Sequence, residues 1–150
     1  MALEDFRYRL DIRVVFRDID YYRHVNNAVY ITWMETARID YCRAAFDRPL
    51  GGMVNVIMAS QSFDYERQAQ YDERLVMGCR TSRLGNKSMD LTYELWRGDE
   101  RIGHGISTLV GYDYEADSSI VIPAEWRRRI AEYELVAPAA GVSSTAGGGS

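Results

Sequence analysis

Cysteine and histidine are scarce in this chain. Its 150 residues include two cysteines, Cys42 and Cys79, and two histidines, His24 and His104, at no spacing typical of a metal site. We therefore predict a cytoplasmic protein with no disulfide framework and no bound metal. Basic charge is also limited, because 18 lysines and arginines stand against 22 aspartates and glutamates. This balance argues against a nucleic-acid partner.

Long apolar runs are missing as well. The most apolar uncharged stretch, residues 49–63, contains Asn55, Ser60 and Gln61, and it is shorter than the roughly 20 apolar residues that cross a membrane. The N-terminal stretch MALEDFRYRLDIR is charged from its fourth residue onward and has no apolar segment typical of a secretory signal. We predict a protein without membrane insertion, and its length fits a single domain.

Hydrophobic spacing predicts one long helix and five strands. Apolar and polar residues alternate over residues 8–16, which indicates a strand. From Asn27 to Phe46 the apolar residues recur every three or four positions, which predicts a helix of about 20 residues. Further alternation predicts strands near 54–67, 73–83, 89–96 and 102–114, with a tight turn at Gly98 and a short helix after Pro123. These elements form one domain, residues 1–134, and we predict that residues 135–150 are a flexible tail.

The long helix can cover only one face of the sheet that these strands form. Its apolar stripe, which begins at Tyr30, supplies that cover. We therefore predict an α+β fold in which a five-stranded antiparallel sheet wraps around a central helix. We assign the large residues Phe63, Tyr65 and Tyr93 to the opposite face. A second copy of the chain would cover them there, so we predict a homo-oligomer.

The most unusual stretch is DIDYYRHVNNAVYITWMETAR, residues 18–38. It places Asp20, His24 and two asparagines just ahead of the long helix, although one capping residue is enough to begin a helix. The residues follow the order D-x-x-x-H-V-N-N-x-x-Y-x-x-x-x-E-x-A-R, from Asp20 to Arg38. In this order the chain resembles the hotdog-fold acyl-CoA thioesterases, in particular the 4-hydroxybenzoyl-CoA and long-chain acyl-CoA branch. The likeness covers roughly residues 6–133, including FDYERQAQYDERL and RLGNKSMDLTYELWRGDERIGHG.

The resemblance implies a hotdog fold and an acyl-CoA thioesterase. The family forms homodimers, often paired into homotetramers, with active sites at subunit interfaces. Such an enzyme hydrolyses an acyl-CoA thioester to a free carboxylic acid and CoA. Because coenzyme A is then part of the substrate, the resemblance implies no cofactor.

Thioester hydrolysis needs a group that activates water or attacks the carbonyl, and donors that stabilise the oxyanion. By its position in the motif, Asp20 is the predicted catalytic carboxylate, with Glu35 as a second candidate. The backbone N–H of Asn27, at the positive end of the helix dipole, is the predicted oxyanion donor. His24 is a predicted site residue that orients Asp20 or bonds within the loop. Tyr30 is predicted to line the acyl pocket or to pack in the core.

Coenzyme A carries phosphates, so an acidic protein needs a local basic patch to bind it. The turn RLGNKS supplies Arg83, Lys87 and Ser88, which we predict as phosphate contacts. The same residues also fit an ordinary hairpin.

Two other functions fit the same residues. One is a hotdog enoyl-CoA hydratase or dehydratase with Asp20 and His24 as the proton-transfer pair. The other is a non-catalytic acyl-CoA binding module. The stretch YYRHVNN replaces the Pro-Gly turn of some family members, which argues against 4-hydroxybenzoyl-CoA itself as the substrate.

Overall fold

The structure is a computed structural model that describes residues 2–46 and 55–141. The long helix and the five long strands occur in the predicted order. Strand β1 spans Tyr8–Arg13 and helix α1 spans Asn27–Phe46; strands β2 to β5 span Val56–Tyr65, Arg74–Leu84, Ser88–Arg97 and Glu100–Asp113. Two short strands, β6 (Ser118–Ser119) and β7 (Ala139–Ala140), lie on either side of helix α2, Ala124–Tyr133, in the sequence.

The five long strands form an antiparallel sheet in the order β1-β3-β4-β5-β2. Helix α1 packs against one face of this sheet, and the core lies between them. Met34 of α1, Met77 of β3 and Leu91 of β4 are fully buried there. One long helix against a curled antiparallel sheet confirms the predicted α+β architecture.

Helix α1 begins and ends at the predicted residues, but β1 is shorter than predicted. The carboxylate of Asp18 accepts the N–H of Val15 (2.9 Å), which favours a short 3-10 turn at Phe16–Asp18 over continued strand. Phe16 is consequently 81% exposed instead of lying on the buried face of β1. The predicted turn at Gly98 is confirmed, with φ of +58°.

The predicted assignment of the large strand residues to the outer face is wrong. Tyr93 is fully buried on the face that packs against α1, where its hydroxyl accepts a hydrogen bond from Arg38 (3.3 Å). Phe63 and Tyr65 also face α1, with ring centroids 5.4 and 5.0 Å from that of Tyr30. Alternation separates the two faces of a strand, but it does not tell which face a helix covers. This argument for a homo-oligomer therefore fails.

The first residues of the predicted tail pack against the domain. Strand β7 pairs in parallel with Arg83 and Leu84 at the end of β3. The carbonyl of Gly141 accepts a hydrogen bond from Arg83 (2.6 Å). The rest of the predicted tail, residues 142–150, lies outside the described residues, as do residues 47–54.

Glu134 joins the end of α2 to the core through a buried carboxylate. Its Oε2 accepts the N–H of Thr81 (2.6 Å) and the hydroxyl of Tyr41 (2.5 Å). Its Oε1 is buried without a hydrogen-bond partner within the described residues. Burial raises the pKa of Glu134 above its ordinary value, although the two hydrogen bonds and the charges of Arg80 and Arg7 oppose the shift.

We expect the Glu134→Gln variant to gain stability relative to the wild type as the pH rises. Because the pKa of Glu134 is higher in the folded protein, the unfolded chain loses this proton at a lower pH. The stabilising contribution of Glu134 is therefore fully present at pH values below its pKa in the unfolded chain. It is lost as the pH rises through its pKa in the folded protein. Glutamine keeps an acceptor oxygen and does not ionise. Urea unfolding of both proteins from about pH 4 to about pH 8 measures the difference.

The exposed Glu125 of α2 supplies the control. Its carboxylate pairs with Arg129 at the surface, so Glu125→Gln should not show the same gain with pH. A difference between wild type and Glu134→Gln that stays constant over this pH range would contradict the prediction.

Candidate active site

The segment between β1 and α1 folds back on itself as a small loop. Ile19 and Val25 form an antiparallel bridge, and the N–H of Asp20 donates to the carbonyl of His24 (3.1 Å). The turn closes at Arg23, whose N–H donates to the carbonyl of Asp20 (2.9 Å) and whose φ is +65°. This left-handed conformation is uncommon for a residue with a side chain. The loop carries Asp20 to the beginning of α1.

The Asp20 carboxylate lies beside the first turn of α1. Its Oδ1 accepts the N–H of Tyr22 (2.9 Å), and its Oδ2 accepts the side-chain amide of Asn26 (3.3 Å). Asn26 in turn caps the helix, because its Oδ1 accepts the N–H of Ala28 (2.9 Å). The predicted catalytic carboxylate and the helix cap are therefore linked side chain to side chain.

The backbone N–H of Asn27, the first residue of α1, donates no hydrogen bond within the described residues. The N–H groups of Ala28 and Val29 are both bonded to Asn26 instead. A free N–H at a helix N-terminus carries part of the positive end of the helix dipole. This is the environment that an oxyanion donor requires.

These residues line one open cavity of about 560 Å³. Asp20, His24, Asn27 and Tyr30, which the sequence singled out, all contribute to its wall. The facing wall comes from residues 65–68, at the end of β2 and directly after it. The cavity has the size of a small-molecule site.

Tyr30 is both a core residue and part of the cavity wall. It is 2% exposed, and its hydroxyl accepts the N–H of Ala69 (3.0 Å). Its ring packs against Trp33 and Tyr65, with centroids 5.3 and 5.0 Å away. Burial raises the pKa of Tyr30, so the hydroxyl stays protonated near neutral pH. The sequence left core packing and pocket lining open as alternatives, and Tyr30 occupies both positions.

His24 and Asp18 contribute to the loop in different ways. The hydrogen bond between His24 and Asp20 joins backbone atoms, and the His24 ring makes no hydrogen bond within the part of the chain that the structure describes. Asp18 has a structural role: its carboxylate accepts the N–H of Val15, and its carbonyl accepts the N–H of Asn26 (2.9 Å).

The predicted phosphate contacts in the β3–β4 turn belong to an internal network. Arg83 and Ser88 are buried; Arg83 donates to the carboxylate of Asp90 (2.9 Å) and to the hydroxyl of Ser88 (2.8 Å). Lys87 donates to the hydroxyl of Ser119 (3.4 Å). Because the donors of Arg83 are already used, these contacts argue against its predicted role as a phosphate ligand.

Strand pairing also separates this turn from the cavity. Ser88 at the start of β4 pairs with Val110, whereas Tyr65 at the cavity pairs with Gly103. The seven residue steps from Gly103 to Val110 span about 23 Å of extended strand. We therefore correct the phosphate assignment, because within one chain the turn lies at the opposite end of the sheet.

Glu35, the second candidate carboxylate, lies on the exposed side of α1 and does not line the cavity. The sequence spacing allows it to pair with Arg38, but no such ion pair occurs within the described residues. Arg38 instead donates to the hydroxyl of Tyr93 (3.3 Å) and to Oε1 of Gln61 (3.5 Å).

The wall formed by residues 65–68 is not apparent from the sequence. The hydroxyl of Tyr65 donates to the carbonyl of Asn27 (3.0 Å), and the N–H groups of Glu66 and Arg67 both donate to the carbonyl of Ile102 (3.0 Å each). The available signal was the charged pair Glu66-Arg67 directly after an alternating strand. That pair lies within FDYERQAQYDERL, which already carries the family resemblance.

Within residues 2–46 and 55–141, no group of three or more histidine, cysteine, aspartate or glutamate side chains is arranged to hold a metal ion. Cys42 and Cys79 are both free thiols. No helix in the described part of the chain is long and apolar enough to cross a membrane.

Known proteins with this fold include enzymes that act on thioesters. A thioesterase from Thermus thermophilus, solved in complex with coenzyme A and Zn, is 30% identical, with a TM-score of 0.77 over 88% of this chain and 97% of that one. The PA5185 protein from Pseudomonas aeruginosa strain PAO1 is 28% identical, with a TM-score of 0.75 over 89% of this chain and 95% of its own.

Sequence comparison agrees with the structural likeness. The uncharacterized protein YsmA from Bacillus subtilis (strain 168) is 30% identical over 82 residues, or 55% of this chain, so the match spans only 56% of that relative's length. A sequence profile of the thioesterase-like superfamily matches residues 14–130, which is most of the chain. The predicted hotdog thioesterase fold is confirmed, while the 4-hydroxybenzoyl-CoA and long-chain branch stays a prediction. The chain belongs to the thioesterase-like superfamily.

Proposed function

We propose that the protein is an acyl-CoA thioesterase. The observation that carries this proposal is the position of the Asp20 carboxylate beside the free N–H of Asn27, with both residues on the wall of one open cavity. A general base or nucleophile next to an oxyanion donor is what thioester hydrolysis requires. The coenzyme A bound to the Thermus thermophilus thioesterase supports a CoA thioester as the substrate.

In the proposed reaction the thioester carbonyl oxygen accepts a hydrogen bond from the N–H of Asn27. Asp20 either takes a proton from the attacking water or attacks the carbonyl carbon itself. The carbon–sulfur bond then breaks, and the CoA thiolate leaves and is protonated. With water as the nucleophile the acyl group is released directly as a carboxylic acid. With Asp20 as the nucleophile an acyl–aspartyl anhydride forms, and a water molecule hydrolyses it to the carboxylic acid and free Asp20. The hydrogen bonds from Tyr22 and Asn26 hold the carboxylate in place. Less conformational entropy is then lost when the carboxylate adopts the reactive geometry.

Arg67 replaces the β3–β4 turn as the proposed contact for the CoA phosphates. Its side chain is 66% exposed at the cavity wall, and its Nε lies 3.6 Å from Oε2 of Glu100. A long, exposed ion pair of this kind contributes little stability. The other hydrogen bond of Arg67 runs from Nη1 to the carbonyl of Glu66 (2.9 Å), so the remaining guanidinium donors can turn toward a phosphate.

We also propose that the chain forms a homodimer or a homotetramer. Strand β2 ends the sheet and pairs only with β5 among the described residues. Most of its ten residues are exposed, including Ile57 at 42%. An edge strand of this length offers unpaired backbone groups to a second copy.

Neither alternative function has an observation in its favour. A hydratase would need Asp20 and His24 as a proton-transfer pair, but the hydrogen bond between them joins backbone atoms only. A binding module would leave the Asp20 carboxylate without a chemical role. The aromatic rings of Tyr30 and Tyr65 suit an aryl or a fatty acyl group, and the cytoplasmic location stays a prediction.

The test is release of free thiol from a panel of acyl-CoAs with short, long and aryl acyl groups. We expect cleavage of at least one class, with the free acid identified by mass spectrometry. Hydration of an enoyl-CoA without thiol release would favour the hydratase instead. Saturable binding of acyl-CoA with no turnover of any compound would favour the binding module and contradict the proposal.

A further inference from the structure

We propose that Arg38 is a specificity residue that recognises an anionic group at the far end of the acyl chain. The inference rests on the proposed thioesterase function and deepens it by naming a substrate class. That class comprises CoA thioesters whose acyl group ends in a second carboxylate.

Helix α1 and strand β2 run side by side from the cavity toward Arg38. At the cavity end, the hydroxyl of Tyr65 donates to the carbonyl of Asn27 (3.0 Å). Further along, the ring of Phe63 lies 5.4 Å from that of Tyr30, and Gln61 then meets Arg38 (3.5 Å). We call this line of contact between residues 27–38 of α1 and residues 61–65 of β2 the seam. The helix advances about 16 Å from Asn27 to Arg38, which sets the length of the seam.

The seam changes in character along its length. Its first part is aromatic, with the rings of Tyr30, Phe63 and Tyr65 packed together. Tyr65 and Gln61 are exposed and Phe63 is half-buried, so the β2 side of the seam is open to solvent. An acyl chain with its carbonyl at Asn27 would lie along the aromatic part and end at the guanidinium.

Arg38 is half-buried among neutral acceptors. Within the described residues its partners are the hydroxyl of Tyr93 (3.3 Å) and Oε1 of Gln61 (3.5 Å), and both bonds use Nη1. By contrast, Arg83 is bonded to Asp90, and Arg101 is bonded to both Glu66 and Glu94. A guanidinium offers five donors in a geometry that matches a carboxylate, so most of the donors of Arg38 are available to one.

This arrangement separates two kinds of acyl group. A plain alkyl chain that reached Arg38 would remove water from the guanidinium without replacing the lost hydrogen bonds. A chain that ends in a carboxylate would restore them with charge-assisted bonds. The seam should therefore select for the carboxylated chain.

The test compares tetradecanoyl-CoA with tetradecanedioyl-CoA, which has the same carbon chain and a terminal carboxylate and whose extended length is close to the ~16 Å of the seam. We expect the wild type to prefer tetradecanedioyl-CoA in kcat/KM by at least about tenfold, because hydrogen bonds to charged groups are of that strength. Arg38→Met should abolish the preference, mainly through KM for tetradecanedioyl-CoA, and Arg38→Lys should keep part of it. Arg43→Met supplies the control, because Arg43 pairs with Asp40 on the same helix and lies outside the seam.

Calorimetric binding of the same two compounds separates this inference from the proposed function. If neither compound is hydrolysed but the wild type binds tetradecanedioyl-CoA more tightly and Arg38→Met does not, the proposed thioesterase function is contradicted and the role of Arg38 stands. Equal binding and equal hydrolysis of the two compounds by the wild type would overturn the inference. So would an Arg38→Met variant that keeps the preference but changes its mass in solution, because the guanidinium would then serve a second copy of the chain.

Discussion

Replacing Asp20 with asparagine is expected to lower kcat for acyl-CoA hydrolysis at least about a hundredfold. The amide neither takes a proton from water nor attacks a carbonyl. It keeps the size of the side chain, and its oxygen still accepts the N–H of Tyr22. Because the acyl and CoA contacts are unchanged, KM should change much less than kcat. Steady-state thiol release with the best substrate of the panel measures both constants.

The Asp72→Asn variant is the matched control for this experiment. Asp72 lies outside the cavity, its side chain is 62% exposed, and its φ of +66° suits asparagine. We expect it to keep wild-type rates, and circular dichroism should confirm that both variants are folded. If Asp20→Asn is as active as Asp72→Asn, Asp20 is structural and the proposed mechanism fails. Glu35 would then be the next carboxylate to replace.

The second large effect is expected on stability. Arg83→Met should lower the free energy of unfolding by roughly 3–5 kcal/mol, because it removes the guanidinium that pairs with the buried carboxylate of Asp90. The side chains of Arg83 and Asp90 are only 6% and 1% exposed. The variant also loses the hydrogen bond from Arg83 to Gly141 that holds the segment after α2. Urea unfolding followed by tyrosine and tryptophan fluorescence gives the measurement.

Two further variants show whether the buried charge is the cause. Replacing both partners, Arg83→Met with Asp90→Leu, should recover much of the loss, since a buried pair is often replaceable by apolar residues. Arg13→Met removes the ion pair with Asp72, whose side chains are 57% and 62% exposed, and should have only a small effect. A loss in Arg83→Met no greater than that in Arg13→Met would contradict the prediction.

Most of the fold could be predicted because its elements have clear periods. The three-and-four spacing of α1 and the alternation of β3 to β5 are both strong, and the structure differs from them by only a few residues. Strand β1 is the exception, because it ends at Arg13 although the alternation predicts a strand to residue 16. A single local bond from the Val15 N–H to the Asp18 carboxylate ends the strand early, although the apolar pattern continues. Period alone also does not tell which face of β4 the helix covers, so the alternation cannot place Tyr93 on the buried side.

The candidate site also has a part that the sequence predicts and a part that it does not. Asp20, His24, Asn27 and Tyr30 line one cavity because they are close in sequence, and a short loop and a helix start are enough to bring them together. Residues 65–68 reach the same cavity only through the pairing of β2 with β5, which no local pattern reveals. The turn at residues 83–88 has the composition of a phosphate site, but strand length and direction carry it to the far end of the sheet.

Because Tyr30 lies both in the core and in the cavity wall, it limits how this protein can diverge. Its ring belongs to the cavity wall, and its hydroxyl accepts the N–H of Ala69 inside the core. A substitution of Tyr30 changes the pocket shape and the folding stability together. A variant selected for a new substrate would therefore also need compensating substitutions in the core. Tyr22 and Arg67 on the same cavity are exposed and free of that constraint. Among homologues, new substrate preferences should therefore arise first at the rim, with the helix side of the pocket changing last.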